Sequence, residues 1–127
     1  MPYTYDPQNI FARILRGEIP NKTVAETPYS LAFHDIRPHA PVHILVIPKG
    51  PYVTLDHFSE TASAEELADF WRLAARVARE AGVIEAEGGT GYRAIANAGG
   101  HSHQEVPHFH LHILGGRPLG ALLPPAG

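Results

Sequence analysis

The segment His108-Phe109-His110-Leu111-His112 holds imidazoles at three alternate positions. In an extended strand, same-face side chains repeat about every 6.5–7 Å, so the three histidines share one side. Phe109, Leu111 and Ile113 take the other side and anchor it in a core. On a buried face each imidazole would need a polar partner, and an ordinary solvent face gives no reason for three in register. Two chemistries suit the array. Histidines at i and i+2 can share a zinc or iron ion, with a further ligand from His43 or Glu105. Alternatively, neutral imidazole, titrating near 6.5 when unperturbed, is a good nucleophile at neutral pH, and phosphorus gives it a workable covalent intermediate. The flanking histidines would then bind phosphoryl oxygens and fix the tautomer of the middle ring.

The elements that must carry these residues are legible in outline. Asp6-Pro7 reads as an N-cap and first helical residue, and Ile10, Phe11, Ile14 and Leu15 recur at helical spacing up to Gly17, predicting a short helix from about Pro7 to Arg16. Strands near Thr23–Glu26 and Leu31–Asp35 form a hairpin around Pro28-Tyr29, and Ile36 to Pro41, with two prolines, is a loop. Val42–Pro48 is β-branched and nearly continuously apolar, as in a central strand buried on both faces. Ser63-Ala64-Glu65-Glu66 is a capping box opening one long helix, whose apolar stripe is Leu67, Phe70, Trp71, Ala74, Val77, Ala78 and Ala81, with Leu73 widening one edge. Gly88 to Gly91 turns into a strand Tyr92–Asn97, and a loop from Ala98 to Pro107 leads to a last strand His108–Leu114, stopped by Gly115-Gly116. Helix, three strands, helix and two strands predict an α+β fold with a mostly antiparallel sheet of about five strands.

With the triad in this frame, the chain resembles the histidine triad (HIT) family, whose signature alternates three histidines with apolar residues. His108 to Leu114 matches that signature. Ile10-Phe11 with Ile14, Ala32 to Ile36, Ala40 to His43, Leu45 to Lys49, Asn97 and Gly115-Gly116-Arg117 are similar to the Hint branch, in the same order, from about Asp6 to the C-terminus. The resemblance implies a single HIT domain over residues 1–127, with its sheet extended across a homodimer. It also implies a nucleotide hydrolase that cleaves the P–N bond of purine nucleoside 5′-phosphoramidates (AMP- or GMP-linked amines), with no metal or other cofactor. His110 would be the nucleophile, forming a nucleotidyl-histidine that water hydrolyses. His108 and His112 would orient it and contact the phosphate, and His43 would support His108. The nucleoside would lie near Ile10, Phe11, Ile14, Phe33, His34 and Ile36, with Asp35 accepting the ribose hydroxyls and Asn97 at the phosphate or ribose end. The loop before the triad departs from the family pattern: His103 stands at a usual glycine, and Glu105 at a hydroxyl residue that assists the leaving group. A protonated Glu105 would donate to a departing amine, and an ionised one would repel phosphate. Two other readings remain within the same family: dinucleoside polyphosphate hydrolysis or nucleotidyl transfer, and a weakly active nucleotide-binding regulator.

The bulk numbers set outer bounds. With 127 residues, 44% of them apolar, the chain suits one compact domain. Its net charge of −3, with scattered lysine and arginine, gives no basic footprint for nucleic acid. It has no cysteine, which excludes disulfides and thiolate metal sites and fits a reducing cytoplasm. The first residues lack the basic start and apolar stretch of a signal peptide, and no apolar run is long enough for a bilayer. The tail from Arg117 is apolar and proline-rich, as in a segment laid on another surface.

Overall fold

A computed structural model describes residues 2–125. Five strands, β1 (Thr23–Glu26), β2 (Ser30–His34), β3 (Val42–Pro48), β4 (Tyr92–Ile95) and β5 (Leu111–Gly115), form one sheet in the order β1-β2-β3-β5-β4. Every pairing is antiparallel. Helices α1 (Ile10–Leu15), α2 (Leu55–Thr61) and α3 (Ala64–Glu80) complete the α+β architecture.

β3 lies between β2 and β5 and is buried from His43 to Pro48, as its unbroken apolar run predicts. Its alternate residues feed two clusters. Ile44 and Val46 join Phe58, Phe70, Val77, Phe109, Leu111 and Ile113 under α2 and α3, whereas Leu45 and Ile47 join Phe11, Ile14, Leu31 and Phe33 beneath α1. The second face is therefore roofed by only six helical residues. That short roof leaves room for a site on the sheet.

The capping box forms as expected: Ser63 Oγ accepts from the Glu66 amide and Glu66 Oε1 accepts from the Ser63 amide, both at 3.1 Å. The buried stripe of α3 differs from the expected one. It runs through Phe70, Leu73, Ala74, Val77 and Ala78, and Trp71 stays 44% exposed, because one residue turns the helix by about 100° and carries the indole off the packed face.

Three boundaries shift for physical reasons. α1 starts at Ile10, not near Pro7, because Asn9 is the cap, with its Oδ1 accepting from the Ala12 amide at 2.9 Å. Asp6 instead caps a turn through the Gln8 amide. α2 escaped the sequence reading because it buries only Phe58, leaving no periodic stripe, although Thr54 is a cap followed by Asp56 in the first turn. β5 begins at Leu111, not His108. The Phe109 amide bonds the Tyr52 carbonyl at 2.7 Å, so the preceding backbone leaves the β3 ladder.

Candidate active site

The antiparallel register sets which histidines meet. His43 pairs with Leu114 and Leu45 with His112, so His43 lies at the distal end of the triad, beside His112 and away from His108. Its Nε2 is 2.9 Å from His112 Nδ1. The expectation that His43 supports His108 is thus corrected, since in this register His108 reaches the end of β3 and meets the Pro48 carbonyl.

Four rings form a chain whose proton positions follow from their partners. The His39 amide donates to His43 Nδ1 at 3.0 Å, so a neutral His43 carries its proton on Nε2 and donates it to His112 Nδ1. His112 then carries its own proton on Nε2. His110 Nδ1 lies 2.7 Å from the His108 carbonyl, which can only accept, so this nitrogen is protonated and Nε2 keeps a bare lone pair. That Nε2 makes no hydrogen bond among the described residues. His108 Nε2 donates to the Pro48 carbonyl at 2.8 Å, and His108 Nδ1 accepts from the Tyr5 hydroxyl at 2.7 Å. With both nitrogens engaged in a fully buried ring, His108 has no donor left for a phosphate. It orients His110 through its carbonyl, and the expected phosphate contact from its side chain is withdrawn.

Burial keeps the array neutral. It pushes His108 and His112 down to about 4, with the positive charge that His110 and His43 would carry adding to the effect at His112. His110 is lowered by burial against the opposing pull of the His108 carbonyl and the Asp35 and Glu105 carboxylates. His43 is also lowered by burial, which outweighs Asp35. One consequence is acid sensitivity. Between about pH 6.5 and 4 the unfolded chain binds more protons than the folded one, so stability is full above that window and falls as pH drops through it. His108 alone accounts for about 2 kcal/mol lost by pH 5, at about 1.4 kcal/mol per unit. Urea unfolding at pH 7 and pH 5 measures it, and equal midpoints would refute neutral burial of the triad.

Around this chain, Phe11 stands edge-on to His110 with ring centres 5.0 Å apart, and to Phe33 at 5.6 Å. Ile14 packs in the same cluster. Asp35 is a turn former, its Oδ1 accepting from the Arg37 amide at 2.8 Å, while its Oδ2 lies 3.4 Å from His43 Nε2. Other expected site residues stand apart from this cluster. Ile10 is 43% exposed, Ile36 is 81% exposed, and His34 is exposed. Asn97 is half-buried beyond the end of β4. Glu105 is exposed and contacts His103 Nε2 at 3.1 Å. His103 adopts the left-handed conformation, φ 61°, which fits its place at a position where glycine is usual. Gln104 ties this loop down by donating to the Val53 and Val106 carbonyls.

Asp35, His43 and His112 each offer a ligand atom within 4.8 Å of the others and are the described residues that could hold a metal ion. An ion there would displace the proton that His43 shares with His112. Sequence reasoning missed Tyr5, the His39 amide and the Pro48 carbonyl. An isolated aromatic in a segment without periodicity gave no signal, and backbone groups carry none.

Three histidines at alternate positions leading into a strand of an antiparallel sheet, the middle one with a free Nε2, define a histidine triad protein. Residues 16–119 match the family model described as the HIT domain, and the chain belongs to that family. It is 55% identical to an uncharacterised HIT-like protein of Azospirillum brasilense, covering 97% of this chain and 98% of that one. It is 41% identical to the purine nucleoside phosphoramidase of Escherichia coli K12, covering 91% and 93% of the two chains. A histidine triad protein from Clostridium difficile superposes with a TM-score of 0.80 at 36% identity, covering 93% of this chain and 98% of that one. Among the described residues, no helix is long and apolar enough to cross a membrane.

Proposed function

We propose that this protein is a metal-independent hydrolase of purine nucleoside 5′-phosphoramidates. The observation that carries the reading is the His110 tautomer: Nδ1–H is tied to the His108 carbonyl and Nε2 is left bare, as an attacking nitrogen must be. His110 Nε2 bonds to phosphorus and the P–N bond breaks, releasing the amine and leaving a nucleotidyl-histidine. Water then attacks phosphorus, and His110 leaves with AMP or GMP as the product. His112 Nε2–H, set by the His43 bond, donates to a phosphoryl oxygen where negative charge develops. The exposed Glu105–His103 pair supplies the proton for the departing amine. Phe11, Ile14 and Phe33 flank the base, with Ile10, His34 and Ile36 at its outer edge. Asp35 takes the ribose hydroxyls, and Asn97 lies at the phosphate end. The relationship to the E. coli phosphoramidase supports the substrate class.

Two surfaces support a homodimer. β4 closes the sheet with an unpaired edge on which Tyr92 is 45% exposed, and in the tail Leu122 and Leu123 are 80% and 74% exposed. The absence of cysteine supports a cytoplasmic setting.

The test is AMP release from adenosine 5′-phosphoramidate with and without EDTA. Turnover that survives chelation is the expected result. Turnover abolished by EDTA and restored by zinc would move the chemistry to a metal at Asp35, His43 and His112.

A further inference from the structure

The nitrogen of His108 that does not reach Pro48 faces a segment with no regular structure. Tyr5 precedes α1, and its hydroxyl lies 2.7 Å from His108 Nδ1, with the two rings edge-to-face at 5.6 Å. Because Pro48 O can only accept, His108 Nε2 holds the ring's proton, so Nδ1 is an acceptor and the Tyr5 hydroxyl is the donor. Burial raises the Tyr5 pKa, which keeps that hydroxyl protonated. The segment is tied down on both sides. Tyr3 stacks on His57 of α2 with ring centres 4.2 Å apart, and Asn9 caps α1, whose Phe11 stands against His110. Residues 3–11 thus run from α2 to α1 across the first histidine.

From this geometry we infer that Tyr5 is a positioning residue for the reaction at His110, acting through His108. The inference deepens the phosphoramidase reading and rests on it. His108 offers His110 its carbonyl, so whatever fixes the His108 ring also fixes the group that orients the nucleophile. Without the Tyr5 hydroxyl, the buried Nδ1 lone pair has no donor among the described residues. The ring must then admit water or take up a proton, and either change shifts the carbonyl or sets a cation beside His110. Tyr5 contributes nothing to the proposed nucleoside slot, so its loss weakens the chemical step and leaves binding intact.

The experiment compares the parent protein, Tyr5→Phe and Tyr3→Phe. It measures kcat and KM on adenosine 5′-phosphoramidate, the thermal midpoint, and histidine side-chain nitrogen signals by NMR in uniformly ¹⁵N-labelled protein. For Tyr5→Phe the expected result is a kcat about tenfold lower, by analogy with the low end of what removing a group that orients a metal-bound imidazole costs. KM should stay within about twofold, and the His108 and His110 nitrogen signals should shift. Tyr3→Phe should keep the parent kcat and the parent signals. Parent-like kcat and unmoved nitrogen signals in Tyr5→Phe would overturn the inference. So would an equal loss in Tyr3→Phe, which would mean that the segment's docking alone matters. The nitrogen signals are read without substrate, so they test the Tyr5–His108 bond even if the parent protein has no phosphoramidase activity.

Discussion

Replacing His110 with alanine is expected to lower AMP release from adenosine 5′-phosphoramidate at least about a thousandfold, with AMP affinity kept within a few-fold. The size follows from what is removed. In the proposed reaction His110 supplies the atom that bonds to phosphorus, and no neighbouring imidazole can substitute. His108 has both nitrogens bonded and its ring fully buried, and the His112 nitrogen nearest the chain accepts from His43. Binding should survive because Phe11, Phe33 and Asp35 of the proposed nucleoside slot remain. Steady-state turnover and AMP titration by calorimetry check both halves. A variant that keeps more than a tenth of parental turnover would rule out the covalent intermediate and leave water as the direct attacker. A parent protein with no turnover, whose variant still binds AMP, would instead be the nucleotide-binding regulator.

The second large effect is on stability. Phe109 separates the first two histidines and points to the opposite face, where it is 1% exposed. Its ring stacks on Phe58 at 5.2 Å and leans on Phe70 at 5.1 Å, and those two rings are themselves 5.1 Å apart. Phe109→Ala empties the centre of this group and costs about 3–5 kcal/mol. For a chain of this length, that lowers the thermal midpoint by about 10–20 °C. Calorimetry measures it, and a fall under about 5 °C would mean that the triad does not depend on this anchor. The alternation of the motif thus serves two ends, with one face for chemistry and the other holding the backbone that aims it.

How far the sequence could be read depended on where the information resides. β1 and β3 were legible to the residue because their apolar pattern and flanking turns are local. The α3 cap was legible because Ser63 and Glu66 recognise each other within one turn. The other strands were placed with ends off by up to three residues, and α2 was passed over because a helix held by a single buried phenylalanine leaves almost no periodic trace. Trp71 was read as packed, since periodicity gives an apolar stripe without its exact centre.

By itself, the sequence determined an imidazole face and narrowed its chemistry to metal ligation or nucleophilic attack. Three histidines at alternate positions, flanked by anchoring apolar residues, specify an imidazole face whatever surrounds them. Only the tertiary structure decided what each ring meets. The β3–β5 register sends His43 to His112. The end of β3 offers a carbonyl to His108, and a segment a hundred residues away brings Tyr5 to its other nitrogen. Those partners are backbone groups and remote side chains. Imidazole is ambiguous until its two nitrogens are assigned, and that assignment depends on contacts across chain separations that no local pattern encodes.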